Sequence, residues 1–144
     1  MNKETTILWL LVVASFVGVI DSAYIGLTSL SDTLIPCGLT LGCDEVLSSP
    51  YSHLGNVSIS WIGLLFYLSI ASNSIFGLSG FRKAFKITLV ASALAFLITL
   101  YLLYIQILVL QAFCDYCLLS AFLVILILGF QLKLHFWEKA ELSS

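Results

Sequence analysis

The sequence predicts an all-α integral membrane protein, a bundle of four transmembrane helices with one sizeable loop. Three observations carry that prediction. The first is composition: 60% of the 144 residues are hydrophobic and 10% are charged, with a mean hydropathy of +1.09, whereas soluble domains carry about 25% charged residues. The second is segmentation. Apolar runs of crossing length cover residues 7–30 and 59–78, and an almost unbroken run covers 84–134. As one helix that last run would reach about 75 Å, against a hydrocarbon core of about 30 Å. It therefore folds back at its one polar interruption, Gln111 to Asp115, giving crossings over 84–110 and 113–134. The third is charge. Four crossings put both termini on one side, and all six cations (Lys3, Arg82, Lys83, Lys86, Lys133 and Lys139) fall there, while Asp32, Asp44, Glu45 and Asp115 fall on the other. The positive-inside rule then places the protein in the cell membrane with both termini cytoplasmic.

The same numbers exclude other classes. A net charge of −2 with six basic residues leaves no electrostatic footprint for nucleic acid. No glycine loop of phosphate-cradling pattern occurs, and His53 and His135 stand far apart without metal-ligand spacing. With no repeat and no low-complexity segment, residues 1–144 read as a single membrane domain.

Met1 to Ala23 shares features with a signal peptide, having one Lys, an apolar run and then small residues. The run continues past Ala23 through Tyr24-Ile25-Gly26-Leu27, however, and cleavage would spoil the charge segregation, so it is expected to be the first crossing. Asp21 sits inside it, nearer the outer end. An ionised carboxylate at a helix centre costs about 2.5–3.5 kcal/mol on insertion scales. Asp21 is thus either a proton-handling or loop-anchoring group, or a carboxylate satisfied near the head groups.

Residues 31–58 form the outer loop. Asp44-Glu45-Val46-Leu47 is expected to open a short helix with acids at its first turn, and Pro50 and Gly55-Asn56 to end that element. Leu47, Tyr51 and Leu54 give the loop an apolar side, suited to a lid on the bilayer surface. Trp61, Trp9 and Trp137 read as interfacial anchors of the second, first and fourth crossings. Tyr101 and Tyr104 on the third crossing read as packing or hydrogen-bonding residues. The turn at 111–115 has neither Gly nor Pro, and residues 135–144 form a short polar tail.

All four cysteines fall on the outer side: Cys37 and Cys43 in the loop, Cys114 and Cys117 at the turn, within Phe113-Cys114-Asp115-Tyr116-Cys117. That compartment permits disulfides. Two cysteines three apart share a helix face, about 4.5 Å apart along its axis. In the first turn of a membrane helix, free N–H groups and the positive dipole end favour a thiolate. Two dithiols can bind metal, brace loops or relay electrons. Cys-x5-Cys with Cys-x2-Cys is not a zinc-finger spacing, so no metal is expected. Bracing suits the loop pair, whereas a Cys114–Cys117 bond on one helical turn would be strained and reducible. A relay would run from a soluble thiol protein to Cys37, from Cys43 to Cys114, and from the deeper Cys117 to a lipid-soluble acceptor, through mixed disulfides.

These residues resemble the prokaryotic branch of the vitamin K epoxide reductase family over nearly the whole chain. The resemblance rests on Cys37 and Cys43, the Cys43-x5-Ser49 spacing, Gly63 and Tyr67 in the second crossing, and Phe113-Cys114-x-x-Cys117. The disulfide-bond protein B family, also four-helical and quinone-linked, carries its Cys-x-x-Cys in the first loop instead. The resemblance implies a bundle enclosing a quinone (menaquinone, that is vitamin K, or ubiquinone) as substrate, capped by the loop. It implies that Cys117 engages the quinone, that Cys114 is its partner, that Cys37 and Cys43 are the shuttle, and that Ser49 is the loop serine near the site. By matched position Leu47, Tyr51, Ile59, Ile62, Phe66, Leu110 and Ala121 would line the pocket. Vertebrate members place a quinone-bonding Asn and Tyr where this chain has Ile59 and Ala121. Many prokaryotic relatives carry a fused thioredoxin-like domain; this sequence shows none, which implies a separate extracytoplasmic thioredoxin-fold partner. The expected function is oxidation of that partner with transfer of electrons to the quinone, in support of disulfide-bond formation. The alternatives are a quinone or epoxide reductase driven by a reducing partner, and a small membrane protein braced by its disulfides.

Overall fold

A computed structural model describes residues 2–31, 34 and 36–144. Asp32, counted above among the loop acids, lies outside the described residues. The elements run α1 (Lys3–Leu30), α2 (Cys43–Leu47), a 3₁₀ turn (Pro50–Ser52), the two-residue strands β1 (His53–Leu54) and β2 (Val57–Ser58), α3 (Ile59–Leu78), α4 (Phe85–Tyr104) continuing into a π-helical segment (Ile105–Leu110), and α5 (Asp115–Ser143). Among the described residues four helices are long and apolar enough to cross a membrane: α1, α3, α4 with its π segment, and α5. The chain is a multi-pass membrane protein.

The second crossing keeps its expected bounds, and the others shift at their ends. α1 begins at Lys3 rather than residue 7. α5 begins at Asp115 rather than 113, because Cys114 takes the extended backbone of a helix cap (φ −115°, ψ 120°). It also runs on to Ser143, so residues 135–143 are helix rather than a polar tail. The fold-back that lacks Gly and Pro is made by Gln111, which adopts a left-handed conformation (φ 50°, ψ 34°). The Ala112 N–H reaches back to the Gln106 carbonyl at 3.2 Å, closing the widened last turn of α4.

The core is built around α1. Half of its apolar span is buried, against 11% for α4 with its π segment. Ile7, Leu8, Leu11 and Ala14 of α1 cluster with Tyr67 and Ile70 of α3 and with Leu123, Val124, Ile127 and Leu134 of α5. Small residues let α1 and α3 approach closely, the usual way helices associate in lipid. The Tyr67 ring lies directly on Gly18, where no Cβ fits, and Leu8 packs on Gly77. Tyr67 is buried, and its hydroxyl meets the Ser120 hydroxyl at 2.7 Å, tying α3 to α5; such a bond contributes about 0.6 kcal/mol in a bilayer.

Arg82 bonds Glu4 at 2.7 Å, so the α3–α4 connection and the chain start meet at one end of the bundle. The cysteines gather at the other. Trp61 packs on Gly26, Trp137 lies against the core with Lys133 over its ring at 5.0 Å, and Trp9 faces outward. Tyr101 and Tyr104 also face outward, each 54% exposed, and take no part in core packing. They lie on the face of α4 turned away from its neighbours.

Candidate active site

Two short stretches build the cysteine end. In the loop, α2 opens at Cys43 with Asp44 and Glu45 in its first turn, as its acids predict. Cys37 and Cys43 are joined in a disulfide, with Cα atoms 5.7 Å apart. Cys43 is buried, while Cys37 is partly exposed. Opposite, Cys114 caps α5: its Sγ accepts the Cys117 N–H at 3.4 Å, and its own N–H donates to Oε1 of Gln106. Cys114 and Cys117 are free thiols. The cysteines therefore do not share one helical turn, as their spacing suggested; Cys114 stands before the helix and Cys117 in its first turn. The Cys117 thiol and N–H, both directed at Cys114 Sγ, hold the Cys114 thiol below the ordinary thiol range against the opposing effect of burial.

The two stretches interlock. A side chain on Gly42 would strike the backbone of Phe113 at 2.7 Å, so only glycine lets the loop seat there. The Thr40 hydroxyl lies 2.7 Å from the Phe113 carbonyl and 3.3 Å from Cys37 Sγ. The Asp115 carboxylate accepts the Leu39 and Thr40 N–H groups. The Tyr116 hydroxyl donates to the Pro36 carbonyl at 3.3 Å, and its ring packs against Tyr24. In consequence Cys43, Val46, Ala112 and Cys114 form one buried cluster, with Cys37 and Cys117 packed against it. The sulfurs of Cys37 and Cys43 and the Asp115 carboxylate lie within 4.8 Å of one another. While those sulfurs are bonded to each other, the group offers no thiolate to a metal.

Beneath the loop lies a cavity of about 130 Å³. Of the residues expected at the pocket, Leu47, Ser49, Tyr51, Ile59, Leu110, Ala121 and Cys117 line it, and Asp21 joins them. Ser49 is buried, with its hydroxyl spent on the Val46 carbonyl at 2.7 Å. Ile62 and Phe66 do not line it. Ile59, Ser60 and Gly63 are the α3 residues that face the space, and Ile62 points outward, 44% exposed. Phe66 lies a turn further along, packed against the core beside Tyr67.

Sequence reasoning missed most of the polar wall: Ser22, Ser52, Ser58, Ser60, Thr99, Gln106 and Ser120. Gln106 carried a usable signal, since an amide alone in an apolar crossing marks a functional position by default. The small hydroxyl residues carried none, because such residues also mediate ordinary helix packing in membranes. The wall is thus mainly apolar, with scattered hydroxyls, an amide and a carboxyl.

Comparison with known proteins bears on this arrangement directly. The family model described as vitamin K epoxide reductase family matches residues 9–132. The chain belongs to that family. Among curated proteins none matches the chain. Membership of the vitamin K epoxide reductase family, a family linked to quinones and vitamin K, implies an oxidoreductase, and the Cys37–Cys43 disulfide beside two free thiols suggests a redox role.

Proposed function

We propose that the chain is a quinone-linked disulfide oxidase of the cell membrane. In this reading both termini face the cytoplasm and all four cysteines lie on the extracytoplasmic side, in keeping with the confinement of every Lys and Arg to the terminal side of the bundle. Its electron donor is an extracytoplasmic thioredoxin-fold dithiol, and its acceptor is a membrane quinone seated in the cavity. The observation that carries this reading is that Cys43 and Cys114 share a buried cluster while Cys117 borders the cavity.

The chemistry balances in three exchanges. A donor thiolate attacks Cys37, the more accessible sulfur of the loop pair; the donor leaves as a disulfide, and Cys37 and Cys43 are left as thiols. The Cys43 thiolate then attacks Cys114 of an oxidised Cys114–Cys117 pair, releasing Cys117 as a thiolate. Cys37 resolves the mixed disulfide, restoring the loop bond. The inner dithiol, holding two electrons and two protons, is then ready for the quinone, which accepts both and leaves as hydroquinone. In this cycle the stage just before that last transfer has the loop pair oxidised and the inner pair reduced. Holding Cys117 at the cavity supplies proximity. Ile59 and Ala121 place apolar groups on the wall, which favours simple quinone reduction over chemistry needing hydrogen bonds from those two positions.

The test is mutational. Purified Cys117→Ala protein supplied with a reduced thioredoxin-fold protein should show no quinone reduction. Cys43→Ala should leave the inner pair able to reduce added menaquinone or ubiquinone while cutting it off from the protein donor. Retention of both half-reactions in Cys43→Ala would refute the order of transfer.

A further inference from the structure

One group on the cavity wall is not used by the sulfur relay. Asp21 of α1 is 6% exposed, and neither of its carboxylate oxygens has a hydrogen-bond partner among the described residues. Ser92 and Gln131 also hold unpartnered oxygens, but neither borders the cavity. Asp21 does. No cation compensates it, since every Lys and Arg lies toward the terminal side. The titratable groups around it are Cys117, Cys114 and Tyr116 from the α5 side, Tyr67 from α3, and Tyr51 from the loop; the α4 side offers Thr99 and Gln106, which do not titrate.

A buried carboxyl with both oxygens free is costly unless something in the cavity completes it. In its acid form it has one O–H to donate, and a quinone carbonyl is purely an acceptor. The same cavity is bordered by Cys117, whose thiol must give up a proton when the inner disulfide forms. We propose that Asp21 is the proton carrier of the quinone half-reaction. Resting on the function proposed above, it passes a proton to a carbonyl oxygen of the bound quinone and is recharged by the proton that the Cys117 thiol releases. The balance closes without further reactants. The two thiols lose two electrons and two protons as the Cys114–Cys117 bond forms, and the quinone gains both as its oxygens become hydroxyls. One proton travels through Asp21 and the other comes from the second thiol of the pair.

The test uses the full-length protein in detergent, fully reduced, mixed with menadione as the quinone in a single turnover. Asp21→Asn should slow hydroquinone formation by about 100-fold, in the range general acids contribute. Menadione binding, followed by quenching of tryptophan fluorescence, should stay within about twofold, and exchange between the loop disulfide and a reduced thioredoxin should be unchanged. Asp21→Glu should recover most of the rate, which a purely structural role would not predict. Asp21→Leu, which removes the buried polarity, serves as a second slow variant should the amide disturb folding. Wild-type rates in either folded variant would overturn the assignment. If the wild-type protein itself leaves menadione unreduced, the proposed function falls as well, so the two failures are distinguishable.

Discussion

At Cys114 the helix start does what a charged neighbour does at other reactive thiols. The residue caps α5, accepts the Cys117 N–H, and sits where the dipole is positive. Its thiol is held below the ordinary range, so its thiolate persists as pH falls through values that would already protonate a free cysteine, near about 8.5. With Cys37 and Cys43 replaced by alanine, the ultraviolet thiolate absorbance should therefore titrate with a midpoint below that value. Cys117→Ala should move the midpoint up, because the thiol donor is lost while the backbone N–H remains. A midpoint at or above the free-thiol value would contradict the geometry. At this scale the sequence was most legible where chemistry-bearing side chains are rare. Four cysteines and Asp21 stand out in a chain of this apolarity, whereas Ser49 was legible only through the family resemblance; the structure gathers all six at one end. Ile62 and Phe66 were less tractable, because whether an apolar residue faces a cavity, a core or lipid depends on helix phase, and apolarity alone does not encode phase when all three surroundings are apolar.

Among the elements, the fold-back between α4 and α5 is the least regular. The crossing and its reversal could be placed from length alone, but not the means of reversal, since no Gly or Pro announces it. The structure solves it with a π-helical last turn and a left-handed Gln111. A side chain in that conformation is strained, and glycine adopts it freely. Gln111→Gly should accordingly stabilise the protein by about 0.5–1 kcal/mol, offset in part by the greater freedom of the unfolded chain. The β-branched Gln111→Val should lower stability by more than that gain. Thermal unfolding in detergent measures both; a Gly variant less stable than wild type would mean that the Gln111 side chain contributes contacts that outweigh the strain. The loop elements were easier to foresee. Acids at the start of α2 and the Gly55-Asn56 turn were visible as local chemistry, and local chemistry is what short elements obey.

For the whole molecule, charge segregation and hydropathy were sufficient to give four crossings in order; that α1 is central, with α3 and α5 packed on it and α4 at the margin, is legible only in the structure. What they could not give is which faces meet, because in lipid the contacts are chosen by small residues such as Gly18 and Gly77 rather than by polarity. The proposed orientation is open to a direct check. After mild reduction of intact cells, a membrane-impermeant maleimide should label Cys37, while a cysteine placed at the last residue by Ser144→Cys should react only after the membrane is permeabilised. The reverse pattern would invert the molecule. Gln106 joins the two halves of this architecture. Its backbone carbonyl holds Ala112 and its side-chain carbonyl holds the amide of Cys114, while the same residue forms part of the chamber wall. The chamber wall and the seat of the capping sulfur thus share one glutamine as their common support.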